Sequence, residues 1–144
     1  MTFNDTLMEV LGIQQISLTK DKVILSMPVD KRTHQPYGYL HGGASVALAE
    51  TAASIGASLH ADPQTKSVFG MEINANHIRS KRSGMVTATA TPLHTGKTSM
   101  VWDIRITDEQ ANLISVSRCT IGIVSKRKET TESFRKESSN EQTS

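Results

Sequence analysis

Cysteine and aromatic residues are scarce in this sequence of 144 residues. Cys119 is the only cysteine, so an internal disulfide and a cysteine-rich metal site are both excluded. Aromatic residues make up 4% of the chain, too few for the stacking platforms that bind single-stranded nucleic acids. Sixteen basic residues against 14 acidic ones give a net charge of +2, which also argues against a nucleic-acid partner.

Long hydrophobic runs are absent as well. No stretch of 18 apolar residues occurs, and the chain does not open with a charged segment followed by an apolar one. We therefore expect no membrane association and a cytoplasmic location. The length suits a single domain, which can bury about two thirds of the surface of its unfolded chain.

The stretch from Leu40 to His60 is the most informative part of the chain. From Ala44 onward it lacks proline and is rich in alanine, which predicts a helix of four or five turns. Glu50 is its only charged residue, and a helix with so little charge is typically buried. A buried carboxylate is costly unless it has partners, so either Ser54, one turn later, satisfies Glu50 or Glu50 has a chemical role.

Alternating apolar and polar residues predict strands on both sides of this helix. A short helix over residues 4–12, capped by Asn4, precedes a hairpin of residues 13–20 and 22–29, and later strands cover residues 67–79, 85–93, 98–107 and 113–124. We expect a bend near Gly70, an antiparallel meander and a buried, inert Cys119 thiol. One buried helix with a twisted sheet predicts an α+β domain over residues 1–124, the sheet curling around the helix.

The composition changes at Ser125. Residues 125–144 are rich in serine, threonine, glutamate and basic residues, and Phe134 is their only sizeable apolar side chain. Such a segment buries too little surface to offset its ordering entropy. It is predicted to be a charged, mobile tail, with a basic interaction arm as the alternative.

Residues 35–43 (QPYGYLHGG), followed by Glu50, resemble the hotdog-fold acyl-CoA thioesterases. Within them they are similar to the PaaI-like branch, which includes the 1,4-dihydroxy-2-naphthoyl-CoA and hydroxybenzoyl-CoA thioesterases. Residues 71–80 (MEINANHIRS) also fit the menaquinone-pathway members of that branch. The resemblance covers about residues 8–124. It implies a hotdog fold and hydrolysis of an aromatic acyl-CoA, with coenzyme A entering as part of the substrate and no separate cofactor.

Thioester hydrolysis needs donors for the oxyanion and a base or nucleophile. The unpaired amides at a helix N-terminus lie at a positive dipole end, and glycine lets a ligand approach the backbone closely. Gly42 N–H is therefore the predicted oxyanion donor, unless the two glycines only permit a tight entry into the helix. Glu50 is the predicted base or nucleophile, and the sequence leaves both roles open.

Geometry then predicts an assembly. Gly42 and Glu50 are eight residues apart, or about 12 Å along one helix, so one thioester carbon cannot lie near both. Two antiparallel helices related by a twofold axis bring Gly42 of one chain beside Glu50 of the other. We expect a homodimer with composite sites, and the resemblance implies that two dimers commonly form a homotetramer.

The resemblance implies further site residues. Gln35 orients water or substrate, and His41 hydrogen-bonds the acyl end or the carbonyl; an ordinary polar residue at a loop edge is the alternative for His41. Ser54 is a candidate by its position one turn beyond Glu50, where it holds the carboxylate or the attacking water; packing is the alternative for Ser54. The phosphates of coenzyme A suit two cationic turns, which contain His77, Arg79, Ser80, Arg82, Gly96 and Lys97. Simple solvation is the alternative for these turns. In the fold that the sequence resembles, such turns form the rim of the nucleotide-binding site, and a third chain can contribute them.

The remaining histidines, His34, His60 and His94, are expected in solvated loops, and no spacing joins them to carboxylates, so no metal is predicted.

Three other functions compete with acyl-CoA hydrolysis of an aromatic substrate. A broad-range phenylacetyl-CoA or medium-chain acyl-CoA thioesterase uses the same residues. A hotdog hydratase needs a close His–Glu pair and a proline-glycine helix entry, which this sequence lacks. A non-catalytic acyl-CoA-binding module leaves Glu50 without a purpose.

Overall fold

The computed structural model describes residues 1–126 of the chain. Within them, two helices and six strands follow one another as α1 (Leu7–Leu11), β1 (Gln14–Leu18), β2 (Val23–Pro28), α2 (Gly42–Ser58), β3 (Lys66–His77), β4 (Met85–Thr95), β5 (Ser99–Thr107) and β6 (Leu113–Ser125). The predicted long helix and all the predicted strands are therefore present. Ser125 still belongs to β6, and residues 127–144 of the predicted tail lie outside the described residues.

The six strands form one antiparallel sheet in the order β1-β2-β4-β5-β6-β3. The sheet curls around α2, which contacts every strand from β2 to β6. Buried side chains of β5 point at the helix: Met100, Trp102, Ile104 and Ile106, as their alternation predicts. This arrangement is the hotdog fold, and the predicted α+β class is confirmed.

The prediction of a meander is correct only for β4, β5 and β6. β3 does not pair with β4, its neighbour in sequence, but with β6 at the far edge of the sheet. β4 pairs instead with β2. Alternation specifies which face of a strand is buried but not which strand lies beside it. Residues 78–84 are long enough to connect β3 at the edge of the sheet with β4 in its interior. β3 is consequently an edge strand of 12 residues.

The prediction that Asn4 caps α1 is wrong. The helix begins at Leu7, with Thr6 as the N-cap residue and no hydrogen bond from its side chain. Asp5 has a φ of 60°, a left-handed conformation that prevents the helix from beginning earlier. The predicted end is correct, because Gly12 adopts the left-handed conformation with a φ of 74°.

Trp102 is fully buried and packs against Gly56 of α2. A Cβ at position 56 would overlap the indole ring, so glycine is what lets helix and sheet approach so closely here. Cys119 is also fully buried, as predicted. Burial raises the pKa of the Cys119 thiol to about 12, with smaller contributions from the negative charges of Glu50 and Glu72.

α2 is less completely buried than its composition predicts. One face of the helix carries a half-buried row of small and polar residues: Ala47, Glu50, Thr51, Ser54 and Ser58. Small uncharged side chains occur on every face of this helix, so the sequence does not distinguish the covered face from the open one. Neither helix in the described part of the chain is long and apolar enough to cross a membrane.

Candidate active site

The N-terminus of α2 is organised by His41. Its Nδ1 accepts a hydrogen bond of 2.7 Å from Gly43 N–H, and its carbonyl oxygen accepts from Ala44 and Ser45 at 3.0 and 3.2 Å. An acceptor Nδ1 carries no proton, so the neutral imidazole presents Nε2–H to a ligand. Within residues 1–126, Gly42 N–H donates to no group. A free donor therefore lies at the positive end of a helix of 17 residues.

His77, which ends β3, lies against Gly42. A Cβ at position 42 would come within 2.8 Å of His77 Nε2, so the imidazole packs on the glycine backbone. The sequence predicted His77 to be one of the residues that bind the phosphates of coenzyme A. In the structure its imidazole lies beside Gly42, whose N–H is the free amide at the start of α2. Imidazoles from two elements thus flank the Gly42–Gly43 peptide.

The loop before α2 brings Gln35 to the same end of the fold. Gln35 Oε1 accepts from Tyr37 N–H at 2.5 Å, which leaves the amide NH₂ group as the part of this side chain that can bind a ligand. Leu40 N–H donates to the Lys81 carbonyl at 2.8 Å and fixes the loop to the turn between β3 and β4. The loop that contains Gln35 and leads to His41 and Gly42 is therefore attached to that turn; that Gln35 and His41 lie beside the thioester stays a prediction.

Glu50 lies on the half-buried face of α2, two turns after Gly42. Among residues 1–126 its carboxylate forms no ion pair and no hydrogen bond, and its Oε1 lies directly over Gly70 of β3. Ser54 lies one turn further on and does not satisfy the carboxylate, which was the structural alternative for Glu50. Among the described residues, the carboxylate thus has no partner that would assign it a structural role.

Glu50 and Ser54 line a cavity of about 530 Å³. α2 forms one side of it, and the opposite side consists of apolar residues from the N-terminal segment and β3: Met1, Phe3, Leu7, Met8 and Val68. Sequence reasoning did not identify the N-terminal residues as part of a site. Their apolar character was visible, but their position over α2 depends on how α1 packs on the helix.

The two cationic turns do not meet within one chain. Arg79 and Ser80 are exposed in the turn between β3 and β4, near the N-terminus of α2. Gly96 and Lys97 lie in the turn between β4 and β5, at the opposite end of the sheet. β5 separates these ends by nine residues, or about 30 Å.

Arg82 is already engaged, which its sequence context does not indicate. Its guanidinium donates to Tyr39 Oη at 2.7 Å and lies 4.4 Å from the centroid of the Tyr39 ring. His34 Nε2 is 2.7 Å from the Arg82 carbonyl oxygen, so the same turn holds the loop before α2. Through these contacts Arg82 stabilises the loop before α2. Its predicted contact with coenzyme A phosphate stays a prediction.

His60 is not simply solvated in a loop. It is half-buried, its Nε2 lies 2.6 Å from the Lys20 carbonyl oxygen, and its ring meets Trp102 edge-on with centroids 5.9 Å apart. His94 is exposed, as predicted, but it lies in strand β4 and not in a loop. In residues 1–126, no three side chains of His, Cys, Asp or Glu lie together as metal ligands do. The absence of a metal requirement stays a prediction.

Comparisons with known proteins identify the family to which the chain belongs. Residues 37–115 match the family model described as the thioesterase superfamily. The 1,4-dihydroxy-2-naphthoyl-CoA hydrolase of Listeria monocytogenes is 53% identical over 122 residues, which cover 85% of this chain and 98% of that relative. The Escherichia coli hydrolase of the same name is 49% identical over 114 residues, which cover 79% of this chain and 83% of that relative.

A solved structure extends the likeness from sequence to fold. The crystal structure of a thioesterase from Haemophilus influenzae superimposes with a TM-score of 0.82 at 46% sequence identity and covers 85% of each chain. The sequence identities and the matched architecture thus point to the same class of protein. The chain belongs to the thioesterase superfamily and is a thioester hydrolase.

Proposed function

We propose that this enzyme hydrolyses an acyl-CoA thioester to the free acid and coenzyme A, with an aromatic acyl group such as 1,4-dihydroxy-2-naphthoyl as the preferred substrate. One observation carries the proposal: among residues 1–126, a carboxylate and a helix amide that both lack partners belong to the same helix, and the carboxylate lines a cavity. The names of the relatives from Listeria monocytogenes and Escherichia coli support the aromatic acyl group.

The reaction needs few groups. Gly42 N–H donates to the thioester oxygen and stabilises the negative charge that develops there, a contribution of about 3 kcal/mol in comparable sites. Glu50 either takes a proton from water, whose oxygen then bonds to the carbonyl carbon, or attacks that carbon itself to give an anhydride that water cleaves. In both routes the carbon–sulfur bond breaks, and the leaving thiolate takes up a proton.

The site is proposed to be shared between two chains. Because Gly42 and Glu50 are about 12 Å apart on one helix, both can reach one thioester only if they come from different protomers. Two features of the single chain support a homodimer: the half-buried polar face of α2 and the long edge strand β3, one side of which pairs with no other strand of the described part of the chain. Pairing of two such dimers into a tetramer is the further assembly that the family resemblance implies.

Each composite site then has two contributors. One protomer provides Gln35, His41 and Gly42 around the thioester oxygen, and the partner provides Glu50 and Ser54. The Gln35 amide and His41 Nε2–H both donate, which suits a carbonyl oxygen or an attacking water. Ser54, with a free hydroxyl in the same cavity as Glu50, orients that water.

The cavity beside Glu50 is the proposed acyl pocket. Its volume of about 530 Å³ and its apolar lining suit a flat aromatic group. Phe3 offers a ring for stacking, and the hydroxyl groups of Thr51 and Ser58 line the opposite side. The exposed Arg79 and Ser80 lie near the N-terminus of α2 in the protomer that provides Gly42. They are proposed to bind phosphate groups of coenzyme A. Gly96 and Lys97 contribute to a phosphate site only from another chain.

A broad-range thioesterase, active on phenylacetyl-CoA or medium-chain acyl-CoA, is the second candidate. The specific observation in its favour is that flexible Met1 and Met8 form part of the pocket wall, since methionine adapts to ligands of different shape. A non-catalytic acyl-CoA-binding module is disfavoured because binding alone does not require the Glu50 carboxylate in the cavity.

The test is thiol release from a panel of aromatic and aliphatic acyl-CoAs by the wild type and Glu50→Gln. Glutamine keeps the shape of the side chain and removes the base, so kcat is expected to fall by about 100-fold or more with little change in KM. The best substrate in the panel separates the naphthoyl preference from the broad-range alternative. Binding of acyl-CoA by the wild type without thiol release would overturn the enzymatic proposal in favour of a binding module.

A further inference from the structure

The Glu50 carboxylate and Gly70 of β3 are in direct contact. A Cβ built on Gly70 would overlap Glu50 Oε1, and the Cδ and Cγ atoms of Glu50 follow at 3.2 and 3.5 Å. All three contacts come from one side chain, so the carboxylate arm of Glu50 lies along the face of Gly70. Among the strand glycines, only Gly70 has Glu50 as its nearest neighbour.

The backbone of β3 changes its register at the same place. Gly70 pairs with Ile121 of β6, but the next pair joins Glu72 to Thr120, so Met71 is an extra residue on β3. Such a bulge bends the strand locally and changes the direction of the neighbouring side chains. Glycine within a strand commonly marks a bulge or a close approach of another group, and Gly70 combines both.

Shape, and not hydrogen bonding, is what restrains the carboxylate. Within the described residues no donor binds it, and no cation pairs with it. The Cys119 thiol, in β6 next to this part of β3, is fully buried and neutral below its raised pKa of about 12. The space above Gly70 is therefore the main feature of this protomer that determines where the carboxylate lies.

We propose that Gly70 is a positioning residue for Glu50: the absence of a side chain at the β3 bulge lets the carboxylate lie where it acts. The inference rests on the proposed function, because it assigns Gly70 a task in the same reaction. Gly70 contacts no substrate in this scheme and acts only through Glu50. Any side chain at position 70 turns the carboxylate away from the carbonyl of the bound thioester.

The chain offers a matched control. Gly122 lies on the neighbouring strand β6 and pairs with Phe69, the residue before Gly70. The nearest atoms to a Cβ at position 122 belong to the side chains of Phe69 and Met71, at 2.7 and 2.9 Å, and both of these residues are exposed. Gly70→Ala and Gly122→Ala are therefore the same substitution in adjacent strands, with and without contact to Glu50.

The experiment measures kcat and KM for both variants, together with their thermal stabilities. Gly70→Ala is expected to lower kcat by about 100-fold with KM nearly unchanged, because a displacement of about 1 Å at a reacting group has an effect of that size. Gly122→Ala is expected to keep kcat within about twofold of the wild type. Equal losses in the two variants would assign the effect to the sheet as a whole and overturn the inference.

Glu50→Asp provides a test that a merely structural role would not pass. Aspartate is one methylene shorter, so its carboxylate carbon takes the place of the Glu50 Cγ, 3.5 Å from a Cβ at residue 70, and the overlap made by Glu50 Oε1 is avoided. Adding Gly70→Ala to Glu50→Asp is therefore expected to change kcat by less than about threefold. The same loss in both backgrounds would show that alanine acts independently of the carboxylate and would contradict the proposal.

A crystal structure of Gly70→Ala makes the test independent of activity. The Glu50 carboxylate is expected to be displaced from its position over residue 70, and an unmoved carboxylate would overturn the inference. If the wild type releases no thiol from any acyl-CoA, the proposed function fails, yet this structure still decides whether Gly70 positions Glu50.

Discussion

Gly42 and Glu50 lie on the same rigid helix, separated by eight residues and by about 12 Å. Both are free of partners within the described residues, and the proposed mechanism needs both of them at one thioester. A rigid helix cannot bend to bring them together. If the proposed mechanism holds, a protomer alone therefore has two half-sites and no complete one.

Mixing two inactive variants tests this sharing of the site. Glu50→Gln and Gly42→Val protomers, unfolded together and refolded in equal amounts, should regain about a quarter of wild-type activity, because half of the dimers are mixed and each has one intact site of two. The measurement is thiol release before and after mixing. Complete sites within single protomers would instead leave the mixture as inactive as its components.

His41 is expected to have two separable tasks. His41→Ala removes the acceptor for Gly43 N–H and should lower the free energy of unfolding by about 1 kcal/mol, measured by urea denaturation. His41→Asn restores an N-cap acceptor and should recover this stability. Activity should remain low in both variants if Nε2–H donates to the substrate, whereas recovery of activity by asparagine would reduce the role of His41 to capping.

Phe3 is expected to affect substrate binding more than chemistry. It lines the cavity beside Glu50, so Phe3→Ala should raise KM for an aromatic acyl-CoA several-fold while kcat changes little. Val10→Ala is the control, because Val10 lies on α1 but is exposed and does not line the cavity. Equal kinetics in the two variants would remove the N-terminal segment from the acyl pocket.

Gly56 should be intolerant of even one added methyl group. A Cβ there overlaps the Trp102 ring, so Gly56→Ala is expected to lower the free energy of unfolding by about 1–3 kcal/mol. Trp102 is the only tryptophan, so its fluorescence reports the transition directly. Ser58→Ala, on the half-buried side of the same helix, should have a smaller effect. A fully stable Gly56→Ala would mean that the helix and the sheet are further apart.

Cys119 should make stability depend on pH in alkaline solution. Burial raises the pKa of its thiol from 9.0 to about 12, so above pH 9 the unfolded chain loses this proton while the folded chain keeps it. The free energy of unfolding should therefore fall as the pH rises from 9 towards 12. Cys119→Ala should show a shallower slope over that range, and an unchanged slope would contradict the shift.

Prediction from sequence succeeded where a pattern has a single structural meaning. An alanine-rich stretch without proline strongly favours a helix, and α2 is that helix. The alternation through Met100, Trp102, Ile104 and Ile106 correctly predicts which face of β5 is buried. Gly42 and Glu50 stand out because their residue types are unusual at their positions. Their distance follows from the helical rise alone.

Prediction failed where the outcome depends on which elements become neighbours. No local pattern indicates that β3 pairs with β6, and therefore none indicates that Gly70 lies under Glu50. The same applies to His77, whose contact with Gly42 joins the end of a strand to the start of a helix. Arg82 was visible as a cation, but its bond to Tyr39 depends on how two loops pack.

The pairing of β3 with β6 also has a consequence for the synthesis of the chain. Glu50 and Gly70 both leave the ribosome long before residues 115–125, the strand that holds β3 in the sheet. Contacts between segments so distant in sequence form slowly, and unpaired strand edges stay exposed until they do. The carboxylate is therefore expected to settle over the glycine only after residue 125 has been made, so a ribosome-bound chain that stops before β6 is expected to lack the proposed site.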